Sequence, residues 1–282
     1  MILLDGKKLA AKVRSDLRVE VKNLNDDGVD VSLAVIQVGD NPASSVYVRN
    51  KQNACRDVGI DSRVITLPET VAEDTLIQII HNLNEYDDVH GILVQLPLPE
   101  HIDEHKVIQA IAPEKDVDGF HEINMGKLAI GEETFVPCTA KGIIELLTEN
   151  DIPIEGWNCV VVGRSNIVGK PTALELLRHN GTVTICHSKT KDLQRVCRDA
   201  DILICAIGKP KFFNRDYINP GAVVIDVGIH RLEDGTLCGD VDFDDVKDIV
   251  HAITPVPGGV GPMTVAMLMK NCVQAAKKCR ED

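Results

Sequence analysis

Two α/β domains are the fold class this sequence predicts, on three observations. Short β-branched runs alternate with stretches of helical period over most of the 282 residues, the pattern of parallel strands joined by helical crossovers. One strand runs directly into a glycine turn and a helix start at 160–171, an arrangement that aims backbone N–H groups at a phosphate. The length suits two domains or one large one. With 44% apolar and 26% charged residues, the chain can bury a core without staples, and wholesale disorder or a fibrous repeat is excluded.

The elements follow in order. Leu9, Val13, Leu17, Val21 and Leu24 recur at helical spacing and stop at Asp26-Asp27-Gly28. Ser32–Val38 (SLAVIQV) is a strand closed by Gly39. Asn41-Pro42 then offers an N-cap and a first-turn proline to a helix reaching Gly59. A strand at Arg63–Leu67 and a helix around Glu73–Leu83 precede Gly91–Leu96 (GILVQL), a buried strand ended by Pro97-Leu98-Pro99. The stretch Gly119–Pro137 lacks a strong period and is the candidate hinge. Beyond it come a helix at Lys141–Thr148, strand Cys159–Val162, and a helix ending at His179. Strands follow at Thr182–Cys186, Ile202–Ala206 and Val223–Asp226. A final helix, Met263–Lys278, follows the Pro/Gly-dense Pro255–Pro262.

Thirty basic against 43 acidic residues leave a net charge of −13, with only five Phe, three Tyr and one Trp. A protein tracking a nucleic-acid backbone needs a basic surplus, and a single-strand binder needs stacking rings. Nucleic acid is therefore not an expected partner. The nine cysteines are scattered singly without CxxC or zinc spacing, so they read as thiols in a reducing compartment. The opening Met-Ile-Leu-Leu-Asp-Gly-Lys-Lys is too short and too quickly charged for a signal peptide. No apolar run approaches the ~18 residues of a spanning helix. The expected location is cytoplasmic, with no membrane and no bound metal.

Four segments carry chemistry. In Val160–Pro171 the order is strand, turn, helix, but the pattern is G-x-S-x-x-x-G rather than G-x-G-x-x-G, so a plain tight turn competes with a dinucleotide site. The next strand ends in His187-Ser188-Lys189 with no carboxylate, whereas an NAD site places an acid there for the ribose hydroxyl. Arg164 with Ser188 would suit a 2′-phosphate, which favours NADP. Tyr47 and Lys51 lie one turn apart on one helix face, a phenol beside an ammonium capable of proton transfer. Spacing alone equally suits a partly buried Tyr next to a solvated Lys. Gln95 stands at the C-terminal end of a buried strand, where ligands sit in open α/β sheets, or else simply satisfies backbone groups. In Pro113–Phe120 (PEKDVDGF) an aspartate either caps the turn or recognises the N–H groups of an amino-pyrimidine ring.

Together these blocks resemble the bifunctional methylenetetrahydrofolate dehydrogenase/methenyltetrahydrofolate cyclohydrolase family over nearly the whole length. They are Tyr47–Lys51 after VGDNPAS, VQLPLP at 94–99, PEKDVDGF at 113–120, VVGRSNIVGKP at 161–171, DVGI at 226–229 and PVPGGVGPMT at 255–264. The resemblance implies an N-terminal α/β catalytic folate domain (1–120 with 263–282), a Rossmann-type NADP-binding domain (121–262), and a C-terminal helix returning to the first. It also implies a homodimer acting on tetrahydrofolate derivatives. Lys51 is then the catalytic lysine, with Tyr47 positioning folate, Gln95 tuning the lysine and Asp118 holding the pterin. Leu96, Pro257, Gly258 and Gly259 line the folate side, and Gly163, Arg164, Ser165, Ser188 and Ile229 contact NADP. Two positions depart from the family pattern: Ala140 replaces the last proline of Pro-Cys-Thr-Pro, and His230 follows DVGI where Asn is more usual. The competing readings are another NADP-dependent oxidoreductase, such as a shikimate-type enzyme, and a non-catalytic folate or nucleotide binder.

Overall fold

The computed structural model describes residues 1–279. The chain divides into two compact units, one of Met1–Ala10 with Pro137–Thr264, the other of Ala11–Val136 with the chain from Val265 onward. The first strand, β1 (Ile2–Leu3), belongs to the former. Helix α1 (Gly6–Asp26) starts there and passes into the latter.

The unit built on 11–136 holds a three-stranded parallel sheet of β2 (Ser32–Val38), β3 (Asp61–Leu67) and β4 (Gly91–Val94), in the order β3-β2-β4. Every residue of the central β2 is buried, which is why its sequence is a nearly continuous apolar run. Crossovers are supplied by α2 (Pro42–Val58) and α3 (Glu73–Asn84). Leu76 and Ile80 of α3 pack with Ala34, Ile36 and Ile92 of the strands into one core. Two short helices, α4 (Glu104–Ala110) and α5 (Glu122–Ile130), complete this part. The stretch expected to be an aperiodic hinge therefore contains a helix. The ring of His121 accepts from Ile123 N at its start, and Gly131 turns left-handed (φ 80°) at its end, so caps rather than period define it.

The other unit is a six-stranded, wholly parallel sheet. It contains β5 (Asn158–Val162), β6 (Thr182–Cys186), β7 (Ile202–Cys205), β8 (Val223–Asp226) and β11 (Ala252–Ile253), ordered β1-β11-β8-β7-β5-β6. Helices α6 (Cys138–Thr148), α7 (Gly169–Arg178), α8 (Leu193–Arg198) and α9 (Phe243–Val246) join it, with an antiparallel pair β9 (His230–Arg231) and β10 (Leu237–Cys238). Strand order reverses between β5 and β7, which makes the end of β5 the switch point where a doubly wound sheet takes its ligand. Ala140 is fully buried in the first turn of α6, whose cap is Pro137, so the helix start keeps one φ-restrained proline without the second.

The last helix, α10 (Val260–Lys278), begins three residues earlier than its period predicts. Pro262 falls in its first turn, where a missing N–H costs nothing. From Val265 the helix belongs to the unit of 11–136, as a C-terminal helix returning to the first domain requires. Among the described residues no helix is long and apolar enough to cross a membrane.

Candidate active site

In the three-stranded unit the site starts at the C-terminal ends of β2 and β4. Gln37 of β2 donates from Nε2 to Gly39 O (3.1 Å) and Ser45 Oγ (2.9 Å), and Asn41 Oδ1 accepts from Ser44 N. The N-terminal turn of α2 is thus tied to the strand that precedes it. One turn further on, the same helix carries Tyr47, which is exposed, and then Lys51, which is half-buried. Lys51 Nζ donates to Gln95 Oε1 at 3.2 Å. Gln95 N extends the sheet by donating to Ile36 O, and its Nε2 donates to Leu96 O at 2.7 Å. Spending the amide N–H on the backbone fixes the carbonyl end toward the lysine, so Gln95 satisfies a backbone group and also contacts Lys51.

The PEKDVDGF loop separates its charges by task. Lys115 is buried and donates to the carbonyls of Asn84 (2.7 Å), Tyr86 (2.8 Å) and Leu83 (3.4 Å) at the end of α3. Asp116, also buried, accepts from His121 N (2.8 Å) and Asn124 Nδ2 (2.9 Å). Asp116 is therefore the turn-holding acid. Asp118 is left facing the lysine: burial pushes its carboxyl up, opposed by the nearby Lys51 ammonium. Asn271 of α10 donates to Val117 O (2.8 Å) and Val136 O (3.2 Å), holding the residue next to Asp118. Lys51, Gln95 and Asp118, from three separate segments, are in this way brought to one place.

In the six-stranded unit the turn after β5 is closed to anything larger than glycine. Gly163 has φ 138°, and a Cβ there would lie 2.2 Å from Ala206 O; a Cβ on Gly169 would lie 2.2 Å from Gly163 O. The hydroxyl of Ser165 accepts from Val168 N (3.2 Å) and Gly169 N (3.3 Å) at the start of α7. The β5–β6 register pairs Val162 with Cys186, and Gly163 N continues it to Cys186 O. Arg164 and Ser188 each lie two residues past that last strand pair, and both are exposed. A bare backbone turn at the N-terminus of a ten-residue helix, flanked by a guanidinium and a hydroxyl, fits the phosphates of a dinucleotide.

Ile229 is exposed just beyond β8. The Pro257-Gly258-Gly259 loop joins β11 to α10, and Lys7 N donates to Gly258 O (2.8 Å). Pro257, Gly258 and Gly259 belong to the unit of β5–β8, while Tyr47, Lys51, Gln95, Leu96 and Asp118 belong to the other.

Two family models match the sequence in succession. Residues 4–118 match the catalytic domain of tetrahydrofolate dehydrogenase/cyclohydrolase, and residues 137–280 match the NAD(P)-binding domain of the same enzyme. The chain belongs to the tetrahydrofolate dehydrogenase/cyclohydrolase family. A bifunctional protein FolD from Lachnoclostridium phytofermentans is 59% identical over 98% of both chains. The crystal structure of the bifunctional FolD dehydrogenase/cyclohydrolase from Campylobacter jejuni superposes with a TM-score of 0.98 at 49% identity, covering 99% of each chain. That of the Trypanosoma brucei enzyme, complexed with NADP cofactor and inhibitor, gives 0.95 at 37% identity and covers 100% of this chain and 99% of that one. In this family member, the turn-capping role the sequence left open to either aspartate falls to Asp116, and the residues that sequence reasoning missed include Lys115 and Asn271. A charged loop or a lone helix asparagine carries no spacing signal, and only tertiary structure reveals what each holds.

Proposed function

We propose that the protein oxidises 5,10-methylenetetrahydrofolate to 5,10-methenyltetrahydrofolate with NADP and then hydrolyses that cation to 10-formyltetrahydrofolate. The observation that carries this reading is the convergence of Lys51, Gln95 and Asp118 in the part that matches the catalytic domain. Folate is assigned to 1–120 with 263–282, and NADP to 121–262.

Bound NADP supplies the acceptor for the hydride that leaves the methylene carbon. Gly163, Arg164, Ser165, Ser188 and Ile229 hold it, the Arg164–Ser188 pair taking the 2′-phosphate. On the folate side, Asp118 accepts from the pterin N–H groups, Tyr47 positions the ring system, and Leu96 lines the site. In the second half, water adds to the methenyl carbon, one proton leaves, and the bond from that carbon to one ring nitrogen breaks. Lys51 moves the proton, and Gln95 keeps its ammonium aimed by the bond to Oε1. One catalytic cluster serves both halves because the oxidation needs alignment of rings, while the hydrolysis needs a proton carrier.

We further infer a cytoplasmic homodimer. Strand β6 is an edge of its sheet with Ile185 exposed, and Leu177 of α7 is exposed as well, a surface suited to a second copy. Among the described residues the nine cysteines form no disulfide, and eight of them are buried, as a reducing compartment allows. The deciding assay gives purified protein 5,10-methylenetetrahydrofolate with NADP or NAD and follows reduced cofactor and methenyl product separately. Reduction of NADP with little methenyl accumulation is the expected result. Reduction with methenyl build-up removes the hydrolytic half, and no reduction with either cofactor overturns the reading in favour of a binder.

A further inference from the structure

Beyond the phosphate turn, the loop following β7 and the segment following β8 converge on one carboxylate. Asp240 is fully buried. Its Oδ2 accepts from Ile207 N (2.6 Å) and Gly208 N (3.0 Å), and its Oδ1 from Lys209 N (2.8 Å) and His230 Nε2 (2.8 Å). Four donors fill the roughly four acceptor positions an ionised carboxylate possesses. Three consecutive backbone N–H groups from one loop, together with a side chain from the next, are thereby locked to a single point.

That point lies beside the switch region of the sheet. Residues 207–209 continue directly from Ala206, whose carbonyl closes on Gly163. His230 directly follows Ile229. The glycine of the DVGI motif is explained by the same carboxylate, since a Cβ on Gly228 would lie 2.5 Å from Asp240 Oδ1. Asp226 accepts from Asp240 N (2.9 Å) and Val241 N (2.9 Å) and so fixes Asp240 in turn.

We propose that His230 is a positioning residue for the dinucleotide site: by donating to Asp240 it holds the 207–209 loop and the Ile229 segment at the geometry NADP needs. A Gln amide at this position also supplies an N–H donor for Asp240, at about the reach of the imidazole Nε2. Replacement by another donor is then tolerated, whereas an apolar ring of similar size leaves a buried charge short of one partner.

This inference rests on the NADP reading. Its test measures NADP binding by calorimetry on the full-length protein, with thermal melting as a check of folding and steady-state kinetics alongside. The wild type binds NADP. His230→Phe is expected to stay folded while melting several degrees below the wild type, to bind NADP about tenfold more weakly, and to show the same change in KM for NADP with kcat little altered. His230→Gln is expected to restore affinity to within about twofold. A folded His230→Phe that binds like the wild type overturns the inference alone, as does a His230→Gln no better than Phe. A wild-type protein that binds no NADP overturns the cofactor reading and the inference with it.

Discussion

A half-buried lysine whose ammonium faces one amide oxygen and one sheltered carboxylate has a narrow range of uses. The Lys51–Gln95 bond and the opposing effect of Lys51 on Asp118 tie the three residues electrostatically, so removing the cation changes all of them at once. Lys51→Met keeps the length of the side chain and deletes only the charge and the donors. It is expected to fold and to bind NADP as the wild type does, while methenyltetrahydrofolate hydrolysis, followed by loss of methenyl absorbance against the uncatalysed rate, falls by at least about a hundredfold. Full hydrolysis in the variant would take the proton-carrying role away from Lys51. Arg164 makes a different demand. If its guanidinium pairs with a 2′-phosphate, Arg164→Ala weakens NADP by about tenfold or more and leaves NAD nearly unchanged, and equal losses in parallel titrations would refute the pairing. How far such roles could be read from sequence differs sharply between residues. Lys51, Gln95 and Arg164 sit at strand ends and on a helix face where position alone suggests a ligand. Asp116 and Asp118 stand two apart in one loop and look alike in sequence. The backbone N–H of His121 and the buried amide of Asn124, both donating to Asp116, mark it as the holder.

The elements legible in the sequence were those with a long period or a hard punctuation mark. Helix α1 shows its period in Leu9, Val13, Leu17, Val21 and Leu24, all buried and four or three apart, and α2 announces itself through Asn41-Pro42. Helices α4 and α5 escaped because seven and nine residues hold too few turns for a period to emerge. Their caps, Asp103 accepting from His105 N and Lys106 N and the His121 ring accepting from Ile123 N, involve residues that also occur freely in loops. The turn after β5 lay between these cases, for the missing second glycine of the usual pattern obscured a geometry the structure makes plain. Gly163 carries both a φ reserved for glycine and a contact that excludes any side chain. Gly163→Ala is expected to lower the melting temperature by several degrees, corresponding to about 1–3 kcal/mol, and to abolish measurable NADP binding. An alanine variant that melts and binds like the wild type would show that the turn can open, and would remove the geometric basis for a phosphate cradle there.

At the scale of the whole molecule, a parallel sheet covered by helices leaves few places for charge, and the acidic chain has put two carboxylates under its larger sheet. Asp226 accepts from three backbone N–H groups, but burial and the neighbouring Asp240 outweigh them and raise its carboxyl from 3.8 to about 6. The native state then binds more protons than the unfolded chain between these values, so the stability this group contributes is complete below 3.8, is lost as pH rises through about 6, and changes little once both states are ionised. The full difference corresponds to about 3 kcal/mol. Asp226→Asn cannot titrate, and its amide also presents N–H groups to donors, so it is less stable than the wild type throughout. The informative quantity is the gap in urea-unfolding free energy between the two proteins. It should narrow by up to about 3 kcal/mol from pH 4 to pH 7 and then stay level. His90, whose burial holds its imidazole below the usual 6.5, works in the opposite direction, adding stability as pH rises through that value. It is present in both proteins and cancels from the gap. A gap independent of pH would mean that Asp226 stays ionised in the folded protein, and one that widened with pH would mean its carboxyl is held below the ordinary value. Either result would require the N–H groups of 228, 240 and 241 to dominate over burial, and with them the sheet end that supports the Asp240 cluster.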